Sequence, residues 1–109
     1  YHSKTCACSD MAQFDVHRLT KGQSLVIDCQ SDLLDHIDSR FVVPLLSAEH
    51  APKPITRLNP LFDLNGEEFV MLTQSAAAVR RSDLGPVIAS LSDHRDIIIG
   101  AIDVLLAGV

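Results

Sequence analysis

Leu61-Phe62-Asp63-Leu64-Asn65-Gly66-Glu67-Glu68-Phe69-Val70-Met71-Leu72-Thr73 is the stretch that decides the fold class. A tight type I′ turn needs two successive residues at positive φ, and Asn-Gly is the pair that supplies them at least cost. The flanks are rich in apolar and β-favouring side chains, so the stretch reads as an antiparallel hairpin. Upstream, Ala51-Pro52-Lys53-Pro54 is a break. Before it, Arg40-Phe41-Val42-Val43-Pro44-Leu45-Leu46 is strongly apolar and β-branched. Pro44 lacks a ladder donor, which predicts an edge position or a bulge there. Ser31 to Ser39 is polar apart from Leu33-Leu34 and Ile37 and suits a loop.

Earlier still, Ser24 to Gln30 places Leu25, Ile27 and Cys29 on one face, the period of a half-buried strand. Gln13-Phe14-Asp15-Val16-His17 alternates in the same way. With turn-like Thr20-Lys21-Gly22-Gln23 between them, the two strands form a second hairpin. Downstream of the first hairpin, Ala76 to Val79 is ambiguous, and Leu84-Gly85-Pro86-Val87 punctuates before the last element.

That last element, Asp96 to Val109, reads as an apolar helix running to the end of the sequence. Ser92 is the expected N-cap, and Asp93 and Asp96 suit the positive end of the helix dipole. Ile98, Ile102, Leu105 and Val109 share a face. Asp103 is the odd residue, an acid late in a helix, where it is mildly unfavourable. A contiguous apolar patch at a helix end calls for cover by the fold, a second copy or a partner. The expected fold is therefore α+β: a small antiparallel, barrel-like sheet of five or more strands with one long C-terminal helix.

The 109 residues form one domain. Residues 1–10 read as a leader, either disordered or non-native, with Met11 the natural start of a domain spanning 11–109. A net charge of −5, with Arg80-Arg81 the densest basic spot, disfavours direct nucleic-acid binding and anionic membranes. No apolar run approaches the roughly 18 residues of a membrane span. Cys6 and Cys8 lie in the leader beside His2 and make a poor metal site. That leaves Cys29 alone in the domain, which fits a reducing cytoplasm.

Catalytic constellations are missing. None of His2, His17, His36, His50 and His94 stands four residues from another. No paired-cysteine motif, phosphate cradle or nucleophile elbow occurs, so neither metal nor cofactor is expected. His94 and Cys29 read as a solvated first-turn residue and a buried structural thiol. Glu67-Glu68 alternate across a strand, which makes them hairpin solvation. Arg80, Arg81, Ser82 and Asp83 could form a ribonuclease-like group or a polar surface loop. On this reading the chain is not an enzyme but a binding protein.

The residues that remain resemble the CcdB family, the toxins of ccd toxin–antitoxin modules. The likeness covers Met11 to Val109 and rests on several segments taken in order. These are Gln13-Phe14; Asp28-Cys29-Gln30-Ser31-Asp32-Leu33-Leu34-Asp35; Val42-Val43-Pro44-Leu45; Leu91-Ser92; Ala101-Ile102; and Gly108-Val109. The resemblance implies a CcdB/MazF-like, SH3-like barrel that forms a homodimer and poisons DNA gyrase by binding its A subunit. It also implies neutralisation by a CcdA-like antitoxin, with the complex repressing its own operon through the antitoxin's DNA-binding domain.

Carried over by position, the gyrase-binding set is Leu33, Leu34, Asp103, Leu106, Ala107, Gly108 and Val109. Three of these depart from the family pattern. Ala107 stands where a tryptophan is usual, Leu106 where an aromatic is usual, and Asp103 where an amide is usual. The alternatives are a homologue with a weakened, lost or changed target, and a ribonuclease toxin of related fold using Arg80, Arg81 and Asp83.

Overall fold

The computed structural model describes residues 12–22 and 24–108. The expected leader with His2, Cys6 and Cys8, together with Met11, Gln23 and Val109, lies outside the described residues. Among the described residues there are seven strands: β1 Asp15–Leu19, β2 Leu25–Asp28, β3 Ser39–Ser47, β4 Leu61–Leu64, β5 Glu67–Met71, β6 Ala77–Arg80 and β7 Leu84–Ser90. One helix follows, α1 Arg95–Ala107. The strands form a single antiparallel sheet in the order β4-β5-β3-β2-β1-β7, with β6 paired to β3. The sheet curls into a half-barrel and the helix lies on one face, the expected α+β arrangement.

The Asn-Gly hairpin forms as its chemistry requires. Leu64 pairs with Glu67 across the two-residue loop. Asn65 and Gly66 take φ of 54° and 88°, and the Asp63 carboxylate accepts the Gly66 amide at 2.8 Å. The β1–β2 hairpin also forms, with Val16 opposite Ile27 and Arg18 opposite Leu25. Phe14 is not part of its strand, however. It sits at φ 72°, buried in the core, while its carbonyl accepts from Leu91.

The main core lies between the sheet and α1, where Val16, Ile27, Val43 and Met71 meet Ile98 and Ala101. A smaller cluster of Val26, Val42 and Leu84 fills the other face. For that reason β2 is buried at all four positions rather than on one face only. Alternation reveals which residues point together, but not that a curled sheet covers both sides.

Three further local readings are corrected and one left open is resolved. Pro44 is not on an edge strand, because β3 pairs with β2 on one side and with both β5 and β6 on the other. Its carbonyl accepts the Leu72 amide at 2.9 Å. The amide and carbonyl of a strand residue point the same way, so the missing donor faces the gap where the ladder passes from β6 to β5. Leu84–Val87 is not punctuation but the start of β7. The Gly-Pro pair is accommodated because β7 is an edge strand whose register against β1 shifts beside it. Ala76–Val79 resolves into β6, held by pairing of Ala77 to Arg80 against β3 rather than by propensity. Ser92 does not cap the helix. It opens a 3-10 turn, Ser92–His94, and α1 begins at Arg95 with no side-chain cap.

Candidate partner-binding site

The first half of α1 is committed to the core. Ile98 and Ala101 are buried, and Ile99 and Ile102 pack against the same cluster. Beyond Ile102 only Val104 stays half-buried. Leu105 is 41% and Leu106 78% exposed, and Asp103, Ala107 and Gly108 are exposed as well. Gly108 ends the helix in the left-handed region at φ 74°, its amide donating to the Val104 carbonyl at 3.0 Å. The stripe begun by Ile98 and Ile102 thus continues into solvent at Leu105. The described chain does not cover its own apolar helix end.

Leu33 and Leu34 occupy a 3-10 turn, Asp32–Leu34, where they are 87% and 44% exposed. The Ser31 hydroxyl accepts from the Leu33 amide at 3.2 Å. Asp32 Oδ1 accepts the Gln13 amide at 2.8 Å. Gln13 Oε1 in turn accepts from Arg95 at 3.1 Å, while the Arg95 guanidinium lies over the Phe14 ring at 5.6 Å. This relay ties the Leu33–Leu34 turn to the first turn of α1. Leu106 lies eleven residues further on, about 17 Å along the helix axis at the usual rise. Within one chain, the two parts of the expected site are tied to opposite ends of the helix.

Within the ribonuclease-like group, Arg81 and Asp83 make structural contacts, while Arg80 is exposed. The Arg81 amide donates to the Asp38 carbonyl at 2.8 Å, and its guanidinium to the Ile37 carbonyl at 3.3 Å. Asp83 Oδ2 accepts from the Arg80 amide at 3.1 Å. These contacts tie the 31–38 segment to the end of β6. Glu67 and Glu68 stand on the hairpin, exposed. His94 is exposed and packs its ring 5.3 Å from that of Phe62. Cys29 is buried, and desolvation, with the Asp28 charge adding to it, pushes its thiol pKa up to about 12. It therefore stays a thiol at neutral pH. Among the described residues, no group of three or more His, Cys, Asp or Glu is placed to hold a metal. No helix there is long and apolar enough to cross a membrane.

Sequence reasoning missed the polar framework behind the turn. Asp28 and Arg40 form a fully buried ion pair at 2.6 Å, the Arg40 Nε donating to the same oxygen at 3.0 Å. The other Asp28 oxygen accepts the Gln30 amide at 3.1 Å. The available signal was one Arg opening an otherwise apolar strand and one Asp ending the strand before it.

The sequence model described as CcdB protein matches residues 13–108. The chain belongs to the CcdB family. Its fold is shared more widely. The chain is similar to a solved structure described as an endoribonuclease in complex with its cognate antitoxin, from mycobacterial species. The TM-score is 0.73 at 12% identity, covering 89% of this chain and 95% of that one. At that identity the likeness shows a common fold. On this fold Leu33, Leu34, Leu105 and Leu106 stand exposed.

Proposed function

We propose that this chain is the toxin of a type II toxin–antitoxin module. It acts by protein–protein binding, with the A subunit of DNA gyrase as its target. In this reading residues 11–109 are the toxin domain, which works as a homodimer in the cytoplasm. A CcdA-like antitoxin neutralises it and supplies the DNA contacts of autoregulation. The observation that carries the reading is the last turn of α1, where Leu105 and Leu106 stand in solvent in a chain of CcdB type. Binding hot spots are usually large side chains that become buried in the complex, and Leu106, 78% exposed, is the most exposed large apolar side chain of the helix end. Ala107 in place of a tryptophan removes an anchor worth at least about 2 kcal/mol, so affinity for gyrase falls roughly thirtyfold or more below that of an aromatic-bearing member.

The test is induced expression of the full chain in two strains, one with sensitive gyrase and one carrying an allele resistant to CcdB toxins. Purified chain is assayed alongside for gyrase-dependent DNA cleavage. Killing confined to the sensitive strain, with trapped double-strand breaks, is the expected result. Killing in both strains without such breaks overturns gyrase as the target, and RNA cleavage by the purified protein would then establish an enzyme on the shared fold.

A further inference from the structure

Leu33 is the most exposed of the large apolar side chains described. Ile37, in the same segment, and Phe41, on β3, are also partly exposed, at 39% and 36%. Leu33 contributes little burial to the fold, so its own burial gives no reason to stiffen the turn that bears it. Yet the segment is held along its length. Ser31 and Asp32 fix its start, and Arg81 fixes its end through the Ile37 and Asp38 carbonyls.

Its middle is held by Gln30. The Gln30 Nε2 donates to the Leu34 carbonyl at 3.1 Å, and its Oε1 accepts the Phe41 amide at 2.9 Å. The Cys29 amide donates to the Phe41 carbonyl at 2.9 Å. The Gln30 side chain therefore takes the next β3 group that the backbone ladder leaves unserved. The backbone of Gln30 is itself anchored on buried Asp28. A continuous path runs from the Arg40–Asp28 pair in the interior, through Gln30, to the exposed leucines.

We propose that Gln30 is a positioning residue for partner binding. Its side-chain amide clamps the 31–38 segment onto β3, so that Leu33 and Leu34 meet the partner already in their bound orientation. The inference rests on the reading that this turn is part of the gyrase-binding surface. Ordering a loop and its side chains at the moment of binding costs affinity, and a turn ordered beforehand avoids that cost. Releasing the clamp should weaken binding about tenfold without unfolding the protein.

The test uses the full chain in five forms: unsubstituted, Gln30→Ala, Gln30→Glu, Leu33→Ala and the Gln30→Ala/Leu33→Ala double variant. Each is titrated with purified gyrase A subunit, and the amide exchange of Phe41 is followed in the free proteins. In Gln30→Ala, Phe41 exchange should accelerate at least about fivefold and binding should weaken about tenfold. Gln30→Glu keeps the acceptor for Phe41 but loses the donor to Leu34, so Phe41 stays protected while binding falls part-way. In the Leu33→Ala background, Gln30→Ala should add little, because the side chain being positioned is gone.

Unchanged Phe41 exchange in Gln30→Ala overturns the clamp, whatever the partner. Fully additive effects of Gln30→Ala and Leu33→Ala overturn its link to the exposed leucine. Failure of the unsubstituted chain to bind overturns the gyrase reading and the positioning role together, and the exchange comparison still decides separately whether the clamp exists.

Discussion

Arg40 shows how much one side chain can carry. It is completely buried, and its charge is tolerated only because Asp28 faces it at 2.6 Å. The pair itself need not be a net source of stability. Removing one member is costly because the other charge is left in a low-dielectric interior without compensation. Arg40→Met should therefore lower the unfolding free energy by about 3–5 kcal/mol, measured by urea denaturation. Adding Asp28→Leu to it should recover most of the loss. If the double variant is as unstable as the single one, the Asp28 contacts to Gln30 matter more than the buried charge. The sequence shows each as a charge at the margin of an apolar strand, but their pairing appears only once β2 pairs with β3.

At the scale of elements, glycine placement separates tight packing from open surface. A Cβ on Gly85 would lie 2.4 Å from the Arg18 carbonyl oxygen on the neighbouring strand. The Gly85 carbonyl also accepts from His17 at 3.0 Å. Gly85→Ala should push β7 off β1 and cost about 1–3 kcal/mol, as other overpacking substitutions do. Gly100 lies in the interior of α1 with nothing within 4 Å of its Cβ position. Gly100→Ala should raise stability by about 0.5–1 kcal/mol through helix propensity alone. Opposite signs in thermal unfolding are the expected result; a stabilising Gly85→Ala would mean that the β1–β7 edge is looser than described. The same pair explains the misread segment. Gly-Pro signals a turn when judged locally, and only the close approach of β1 makes it the opening of a strand.

For the whole molecule, the question is what the fold leaves uncovered. The half-barrel buries the inward-facing apolar residues of its strands together with Ile98 and Ala101 of α1. Leu106 makes no contribution to the core, so Leu106→Asp should leave the melting temperature within about 2 °C. It should still abolish growth inhibition and gyrase-dependent DNA cleavage, measured side by side with the unsubstituted chain. A large drop in melting temperature would instead place Leu106 in an obligate interface between copies of the chain.

What the sequence determined by itself is what neighbours along the chain can dictate. Asn65-Gly66 forces the β4–β5 turn through the positive φ that both residues accept. Apolar spacing places the strands and the helix. The family pattern is carried by short ordered segments such as Asp28 to Asp35, and the exposed Leu33-Leu34 pair was visible there as apolar residues in a polar loop. Tertiary structure alone decided the rest, because each remaining feature depends on a partner distant in sequence. It buried Asp28 against Arg40, placed Pro44 opposite a gap between two strands, and turned Leu84–Val87 into a strand edge. It also set where the helix surfaces: past Ile102 only Val104 stays half-buried, and Asp103 and Leu105 to Gly108 are exposed because too little of the fold lies against them.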